Sequence, residues 1–283
     1  MISFFQAIIL GLLQGITELF PVSSLGHAVL VPKLLGWNSI VTSESGSESS
    51  YLAFIVGLHC ATAIALIIFY RKTWAKIIRS FFHSVKVRKA ESPNERLAWL
   101  LIVATIPAAL TGVIFEHKLR TVFAKPLAAA IFLTINGLIL FIGEWYRKSA
   151  AKRQPKRVLS NFEYKEAGII GTAQVFALLA GISRSGITMV AGLGRGLSHE
   201  DAANFSFLLA TPIILGAGIY KLPDLFGPLG NGIRGQVLVG SLAAGLAAYF
   251  SVRFLTKYFR TKTLTPFAIY SLVVGILMIV RFA

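Results

Sequence analysis

The chain has 283 residues, of which 55% are apolar and 14% are charged, and its formal net charge is +16. A soluble domain averages about 25% charged residues, and so large an apolar fraction exceeds what one or two water-soluble cores can bury, which leaves a polytopic membrane protein. The basic residues lie between apolar stretches rather than on a polar surface with interleaved aromatics, so no nucleic acid is expected as a partner.

Six segments are apolar enough to cross a membrane as helices, since about 20 helical residues span a hydrocarbon core of roughly 30 Å. These segments are 51–70, 97–115, 127–145, 203–220, 236–252 and 264–282. Two further apolar regions, 2–36 and 167–198, are interrupted at residues 21–27 and 181–186. Neither half of either region is long enough to cross alone, so each is expected to form a re-entrant hairpin of two half-helices. The predicted fold is an all-α polytopic membrane protein in one integral membrane domain, 1–283.

Lys and Arg are distributed unevenly among the predicted loops. Loops 71–96, 146–166 and 253–263 hold 19 of the 28, whereas the opposite loops and chain ends hold 7. The positive-inside rule places the richer side in the cytoplasm. The basic loops all fall on one side of the membrane only if both interrupted regions return to the side from which they enter. The first region is then expected to open from outside and the second from inside.

Each half of the chain is therefore predicted to contain one hairpin followed by three spans, with the halves starting on opposite sides. An offset of 160 residues superimposes the two interruptions, placing Gln14 on Gln174, Ser23 on Ser183 and Gly26 on Gly186. This pattern predicts inverted repeats over approximately 1–146 and 165–283, joined by the basic loop 146–166. Such repeats place the functional site near the membrane midplane, where half-helix ends meet.

Polar residues at the two interruptions are candidates for function, because polar groups are costly inside a membrane. Glu18 lies just before the first interruption, and Gln14 lies one helical turn earlier on the same face. The other polar residues are Ser23, Ser24 and His27 in the first interruption and Ser183, Arg184, Ser185 and Thr188 in or after the second. Arginine offers a planar fork to phosphate oxygens and half-helix ends offer N–H donors, so the set suits a phosphate or diphosphate. A hydroxyl or imidazole beside a carboxylate is also what phosphoryl transfer through a covalent intermediate needs.

A cation cage built by protein side chains alone is not apparent in the sequence, although Mg²⁺ bridging Glu18 and substrate phosphates fits the chemistry. His59, in the first long span, is interpreted as a buried polar contact or an indirect partner of the site rather than a catalyst.

The two interruptions contain two motifs. They are Gln14-Gly15-Ile16-Thr17-Glu18 with Phe20-Pro21-Val22-Ser23-Ser24-x-Gly26-His27, and Gly181-x-Ser183-Arg184-Ser185-x-x-Thr188. In these motifs the chain resembles the undecaprenyl-diphosphate phosphatase family of the bacitracin-resistance type, and the resemblance runs nearly end to end. The resemblance implies hydrolysis of undecaprenyl diphosphate at the outer face of the cell membrane, which recycles the lipid carrier of cell-wall synthesis and confers bacitracin resistance. It also implies a divalent cation, Mg²⁺ or Ca²⁺, and a polyprenyl diphosphate as the lipid partner, with a homodimer left open.

Carried over residue by residue, the resemblance and the local chemistry assign roles to nine side chains. Expected catalytic residues are Glu18, Ser24, His27 and Arg184, and expected substrate ligands are Gln14, Ser23, Ser183, Ser185 and Thr188; Glu18 is also the candidate metal ligand. Ser24 is the preferred nucleophile, with His27 three residues on as the base that takes its proton and His27 itself as the alternative nucleophile. One departure is Ala180-Gly181 where the family motif usually begins Pro-Gly.

Two other functions fit parts of the sequence. An inverted-repeat transporter or lipid flippase for a phosphorylated substrate shares the broken helices, but a carrier needs no nucleophile beside a base. A type-2 phosphatidic acid phosphatase would need a later His and Asp pair, and the nearest candidates, His199 and Asp201, lie too close to a loop to fit.

Overall fold

The computed structural model describes residues 2–37, 50–123, 125–150 and 159–283, and the regular structure in these ranges is helical, without strands. Loop 146–166, expected to join the repeats, lies partly outside the described residues. Six helices or helical segments are long and apolar enough to cross a membrane: Ser50–Phe69, Pro93–Phe115, Pro126–Ser149, His199–Lys221, Arg234–Tyr258 and Thr265–Phe282. Each overlaps one expected span, and the all-α polytopic class is confirmed.

The described part of the chain contains eleven α-helices, numbered here in chain order. They are α1 (Phe4–Thr17), α2 (Ser24–Leu34), α3 (Ser50–Phe69), α4 (Arg71–Val87), α5 (Pro93–Phe123), α6 (Pro126–Ala150), α7 (Tyr164–Val175), α8 (Arg184–Gly194), α9 (His199–Phe226), α10 (Arg234–Tyr258) and α11 (Thr265–Phe282). The core contains mainly apolar side chains from the long helices, with Phe205 and Phe207 of α9 almost fully buried.

The basic segment 71–96 is not a simple loop, because most of it forms α4. Between the charged residues of this segment, apolar residues recur every three or four positions. They are Trp74, Ile77, Ile78, Phe81, Phe82 and Val85. That spacing is typical of an amphipathic helix. Ile77 is buried, and α4 packs on α5.

Both interrupted regions are broken helices, as the sequence predicts. A serine caps the helix after each break: the Ser23 hydroxyl accepts a 3.2 Å hydrogen bond from the Gly26 N–H, and the Ser183 hydroxyl accepts a 3.1 Å bond from the Gly186 N–H. A serine oxygen at this position satisfies a backbone donor that the first helical turn leaves free. Each cap therefore fixes where the second half-helix starts.

Corresponding helices before and after the breaks start 160 residues apart. α1 begins at Phe4 and α7 at Tyr164, while α2 and α8 begin at Ser24 and Arg184 and both contain 11 residues. The sequence offset therefore has a structural counterpart in the positions of these four helices.

Close packing of α1 and α7 also uses corresponding positions. Gly11 in α1 lies against the backbone of Gly240 in α10, and Gly171 in α7 lies against the backbone of Ala104 in α5. A Cβ atom at either glycine would collide with the facing carbonyl oxygen. Small residues let membrane helices approach this closely, and van der Waals packing then replaces the hydrophobic driving force that lipid does not supply.

Candidate active site

The two breaks meet at Glu18, which lies directly after α1. One carboxylate oxygen, Oε1, is 3.3 Å from Nη2 of Arg184, the first residue of α8. Both side chains are largely buried, with 6% and 12% of their surfaces exposed. A charge in such a place is tolerated only when it is paired, so each side chain neutralises the other.

The second carboxylate oxygen of Glu18 is surrounded by three further groups. Oε2 accepts a 2.5 Å hydrogen bond from the Ser24 hydroxyl and a 3.0 Å bond from Nε2 of Gln14. Nε2 of His59, on α3, lies 3.4 Å from the same oxygen. The structure thus assembles four expected site residues around one carboxylate: Gln14, Glu18, Ser24 and Arg184. It adds His59, interpreted from the sequence as a buried polar contact.

Two polar atoms at this cluster have no hydrogen-bond partner among the described residues. They are Nε of Arg184 and Oε1 of Gln14, and both are buried. Nη1 of Arg184 donates to the backbone oxygen of Ser206 at 3.2 Å. A buried polar atom without a partner costs about 1–3 kcal/mol, so both atoms are suited to a ligand that supplies the missing hydrogen bonds.

Ser23 joins the two breaks instead of pointing to a free space. Its hydroxyl oxygen accepts hydrogen bonds from the N–H groups of Gly26 and Gly181, both at 3.2 Å. Its φ of +69° lies in the left-handed region, which is rare for a residue with a Cβ and costs energy. The contacts across the break hold this strained conformation in place.

The hydroxyls of the second motif also bond mainly to the protein. Ser183 bonds to Ser185 at 3.0 Å, and Ser185 donates to the Phe20 backbone oxygen at 3.2 Å. Thr188 donates to the Arg184 backbone oxygen at 2.7 Å. All three hydroxyl residues are buried. As placed, they satisfy backbone groups freed by the breaks and position the Arg184 backbone.

Asn136, on α6, is a site-organising residue that the sequence did not single out. Its Nδ2 donates to the backbone oxygen of Pro21 at 3.0 Å and to Ser271 at 3.2 Å, and its Oδ1 accepts from the N–H of Ser183 at 2.9 Å. It is fully buried. Its presence as a lone asparagine within a predicted span was the available signal, because polar residues there are costly.

The hydrogen bonds of His27 go to Ser23 and Tyr270 and not to Ser24, although three-residue spacing led us to expect the Ser24–His27 pair. Its Nδ1 lies 2.7 Å from the Ser23 backbone oxygen, and its Nε2 lies 2.8 Å from the hydroxyl of Tyr270 on α11. A carbonyl oxygen only accepts, so Nδ1 donates and, in the neutral ring, Nε2 accepts from Tyr270. Both nitrogens are engaged, and Ser24 bonds to Glu18. The expected transfer from Ser24 to His27 therefore has no hydrogen bond to follow.

The cluster around Glu18 offers few protein ligands for a cation. No group of three or more His, Cys, Asp and Glu side chains comes together in the described ranges. Glu18 and the unpaired Oε1 of Gln14 offer two oxygen ligands, the kind that Mg²⁺ and Ca²⁺ prefer. This donor set fits a divalent cation that takes its remaining ligands from substrate phosphate and water.

Comparison with known proteins gives one family over nearly the whole chain. The family model described as bacitracin resistance protein BacA matches residues 7–277. Undecaprenyl-diphosphatase 2 from Frankia alni is 50% identical, with 100% of this chain and 98% of the relative aligned. Undecaprenyl-diphosphatase from Mycolicibacterium paratuberculosis is 53% identical, with 97% and 95% aligned. Undecaprenyl-diphosphatase 2 from Oenococcus oeni is 39% identical, with 97% of both chains aligned. The chain belongs to the bacitracin resistance protein BacA family.

Proposed function

We propose that the chain hydrolyses undecaprenyl diphosphate to undecaprenyl phosphate and phosphate, and so recycles the lipid carrier of cell-wall synthesis and confers resistance to bacitracin. One observation carries the proposal: a serine hydroxyl bonded to a carboxylate beside a buried arginine, in a membrane protein of this family. The names of the aligned relatives support it.

Arg184 binds the terminal phosphate in this proposal. Its guanidinium has an unpaired Nε, and its Nη1 and Nη2 bond to a backbone oxygen and to Glu18 at the long distances of 3.2 and 3.3 Å. Phosphate oxygens match the guanidinium fork and replace these contacts when substrate binds. Arg184 is also the first residue of α8, and the N-terminus of a helix favours an anion.

Ser24 attacks the terminal phosphorus, and Glu18, rather than His27, takes its proton. The 2.5 Å hydrogen bond already aims the serine proton at the carboxylate. The bond from phosphorus to the bridging oxygen breaks, and Glu18 passes the proton to that oxygen as undecaprenyl phosphate leaves. Water then attacks the phosphorus of the phosphoserine and loses a proton to Glu18. The bond from phosphorus to the Ser24 oxygen breaks, Glu18 returns the proton to that oxygen, and phosphate leaves.

His27 supports this chemistry from a distance. Its bonds to Ser23 and Tyr270 hold the first turn of α2, which presents Ser24. The alternative, with His27 as nucleophile, requires Nε2 to release the Tyr270 hydroxyl before it can attack.

A divalent cation bound with the substrate is part of the proposal. Glu18 and Oε1 of Gln14 would hold it, and it would neutralise part of the diphosphate charge. The roles of the side chains are the same with the cation bound: Arg184 orients the phosphate, and Glu18 moves the serine proton.

The arrangement in the membrane follows the charge distribution. We propose that the broken helices α1–α2 and α7–α8 are re-entrant hairpins in inverted repeats, and that the site opens to the outer face of the cell membrane. The matching helix starts and the paired glycine contacts support the repeats. The excess of Lys and Arg in segments 71–96, 146–166 and 253–263 supports the orientation. The proposal includes no oligomeric state, and a homodimer stays open.

Phosphate release by the purified protein tests this function. With undecaprenyl diphosphate and Mg²⁺ or Ca²⁺, the wild-type chain should release phosphate, and Ser24→Ala should release almost none. Thr172→Ala is the matched control, because it removes a hydroxyl that bonds only to the Gly168 backbone oxygen on the exposed side of α7. A purified wild-type protein that binds the diphosphate without releasing phosphate would favour the transporter or flippase instead.

A further inference from the structure

Helix α4 carries an apolar stripe that the rest of the described protein covers only in part. It follows the span α3 after one residue and is followed, five residues after its end, by the span α5. One side of the stripe packs on α5, through Ile77 and Phe81. The other side is exposed: Ile78 by 51%, Phe82 by 65% and Val85 by 49%. Such a stripe next to a membrane span is typical of an amphipathic helix that lies in the membrane–water interface.

A groove of about 420 Å³ runs between α4, α5 and α9. Its walls are almost entirely apolar and include Trp74 and Phe82 from α4, Leu101 and Ile102 from α5, and Pro212 from α9. Because the exposed part of the α4 stripe forms one wall, the groove is continuous with the surface that faces lipid. An apolar chain from the bilayer can enter it without crossing a polar barrier.

Basic residues run along the edge of this groove. Lys72, Arg79 and Lys86 are seven residues apart, close to two helical turns, so they lie in one line along α4 beside Ile78 and Phe82. All three are exposed. Residues 71–90 contain seven Lys or Arg and no Asp or Glu, so α4 itself offers these cations no carboxylate.

We propose that α4 and this groove form a binding site for an anionic phospholipid. One acyl chain lies in the groove, and the lipid phosphate bonds to Lys72 and Arg79 at its edge. Charge complementarity selects the occupant, because a zwitterionic lipid would fill the groove equally well but would leave the basic line without a net counter-charge. The site is separate from the phosphatase cluster, since none of the groove's lining residues belongs to that cluster.

Trp74 in the groove provides the measurement. In a protein with Trp37, Trp99 and Trp145 replaced by Phe, Trp74 fluorescence is recorded in phosphatidylcholine nanodiscs. Two nanodisc preparations are compared. One contains a minor fraction of phosphatidylglycerol brominated on its acyl chains, and the other contains the same fraction of phosphatidylcholine brominated in the same way. Brominated phosphatidylglycerol should quench at least about twofold more strongly. A protein retaining only Trp145, which is 65% exposed on α6, reports bulk lipid and should show no difference.

Charge variants test the assignment of the basic line. Lys72→Gln/Arg79→Gln/Lys86→Gln should abolish the difference between the two brominated lipids. The matched control is the triple variant Arg253→Gln/Lys257→Gln/Lys262→Gln. It removes three exposed charges near the end of α10 and just after it, and it should keep the difference between the two lipids. Native mass spectrometry of the otherwise unmodified protein gives a second measurement, in which the first triple should lose a phosphatidylglycerol adduct that the second retains.

Four results would overturn the proposal. Two concern the wild-type charges: equal quenching by both brominated lipids, or no quenching by either. The other two are a preference for phosphatidylglycerol that survives in Lys72→Gln/Arg79→Gln/Lys86→Gln, and relief of quenching by a small amount of undecaprenyl phosphate. The last result would assign the groove to the substrate's polyprenyl tail. Since the signal reports lipid at Trp74 and not phosphate release, its failure would leave the proposed enzymatic function standing.

Discussion

Oε1 of Glu18, directly after α1, lies 3.3 Å from Nη2 of Arg184, the first residue of α8. The two residues are 166 positions apart in the chain and belong to different breaks. Their pairing places a carboxylate that accepts the Ser24 proton beside a guanidinium suited to phosphate. The cluster therefore requires both breaks, and loss of the Glu18 charge removes the ion-pair partner of the buried Arg184 guanidinium.

Replacing Arg184 by Lys should lower phosphate release by at least about 100-fold, because lysine keeps the charge but loses the bidentate fork. Steady-state assays of purified protein measure this loss, and the retained charge opposite Glu18 keeps the fold intact. The matched control is Arg195→Lys, whose arginine pairs with Glu166 at 3.1 Å and is 37% exposed. Near wild-type turnover in Arg184→Lys would remove Arg184 from the phosphate site.

Glu18→Gln and Ser24→Ala should each remove most activity, and the double variant should be scarcely worse. The two residues act as one unit, with the 2.5 Å hydrogen bond as the proton path, so their losses are not additive. Initial rates of phosphate release for the two single variants and the double variant form the test. Losses that multiply in the double variant would mean that Glu18 does not act through Ser24.

Tyr270→Phe should lower activity about fivefold, since it removes one hydrogen bond, worth about 1 kcal/mol, from Nε2 of His27 and keeps the ring. In a His27→Ala background the same change should have no further effect. Rates from the four proteins of this double-mutant cycle give the coupling. The control, Tyr249→Phe, alters a tyrosine whose ring packs on Phe69, away from His27. An undiminished loss in the His27→Ala background would show that Tyr270 acts by another route.

Asn136→Leu should destabilise the protein by about 2–4 kcal/mol, because it leaves the Ser183 N–H and the Pro21 carbonyl buried without partners. Thermal unfolding in detergent measures the change. Asn204→Leu is a milder comparison, since Asn204 accepts one hydrogen bond, from Tyr70 at 2.8 Å. Equal shifts in melting temperature for the two variants would argue against Asn136 as the link between the breaks.

The proposed orientation predicts which surface cysteines are reached from outside the cell. In a Cys60→Ser background, Asn231→Cys should react with a membrane-impermeant thiol reagent on intact cells, and Lys262→Cys should react only after lysis. Both positions are exposed. The reverse labelling pattern would contradict the orientation drawn from the distribution of Lys and Arg.

The spans and breaks were predictable because they depend on local sequence. Hydropathy over about 20 residues finds each span, and the Pro and Ser residues after Glu18 mark the first break. Gln14 and Glu18 were placed together by helical spacing alone. The amphipathic α4 was missed because its many charges dominated the interpretation of 71–96.

Contacts between distant elements were harder to predict. His59 meets Glu18 because α3 presents that face to the break, and nothing in the sequence fixes the rotation of a span about its axis. The expected hydrogen bond between Ser24 and His27 is absent for a different reason. Spacing places both on one side of α2, but the imidazole bonds back to the Ser23 carbonyl and to α11, which short-range spacing does not reveal.

Trapping the phosphoenzyme tests the central claim most directly. Substrate labelled in its terminal phosphate is mixed with wild-type protein and quenched in acid, and the labelled peptide is mapped. The account predicts an acid-stable phosphate on Ser24, absent from Ser24→Ala and reduced in Glu18→Gln. An acid-labile label, or one on His27, would contradict it, because phosphohistidine does not survive acid and phosphoserine does.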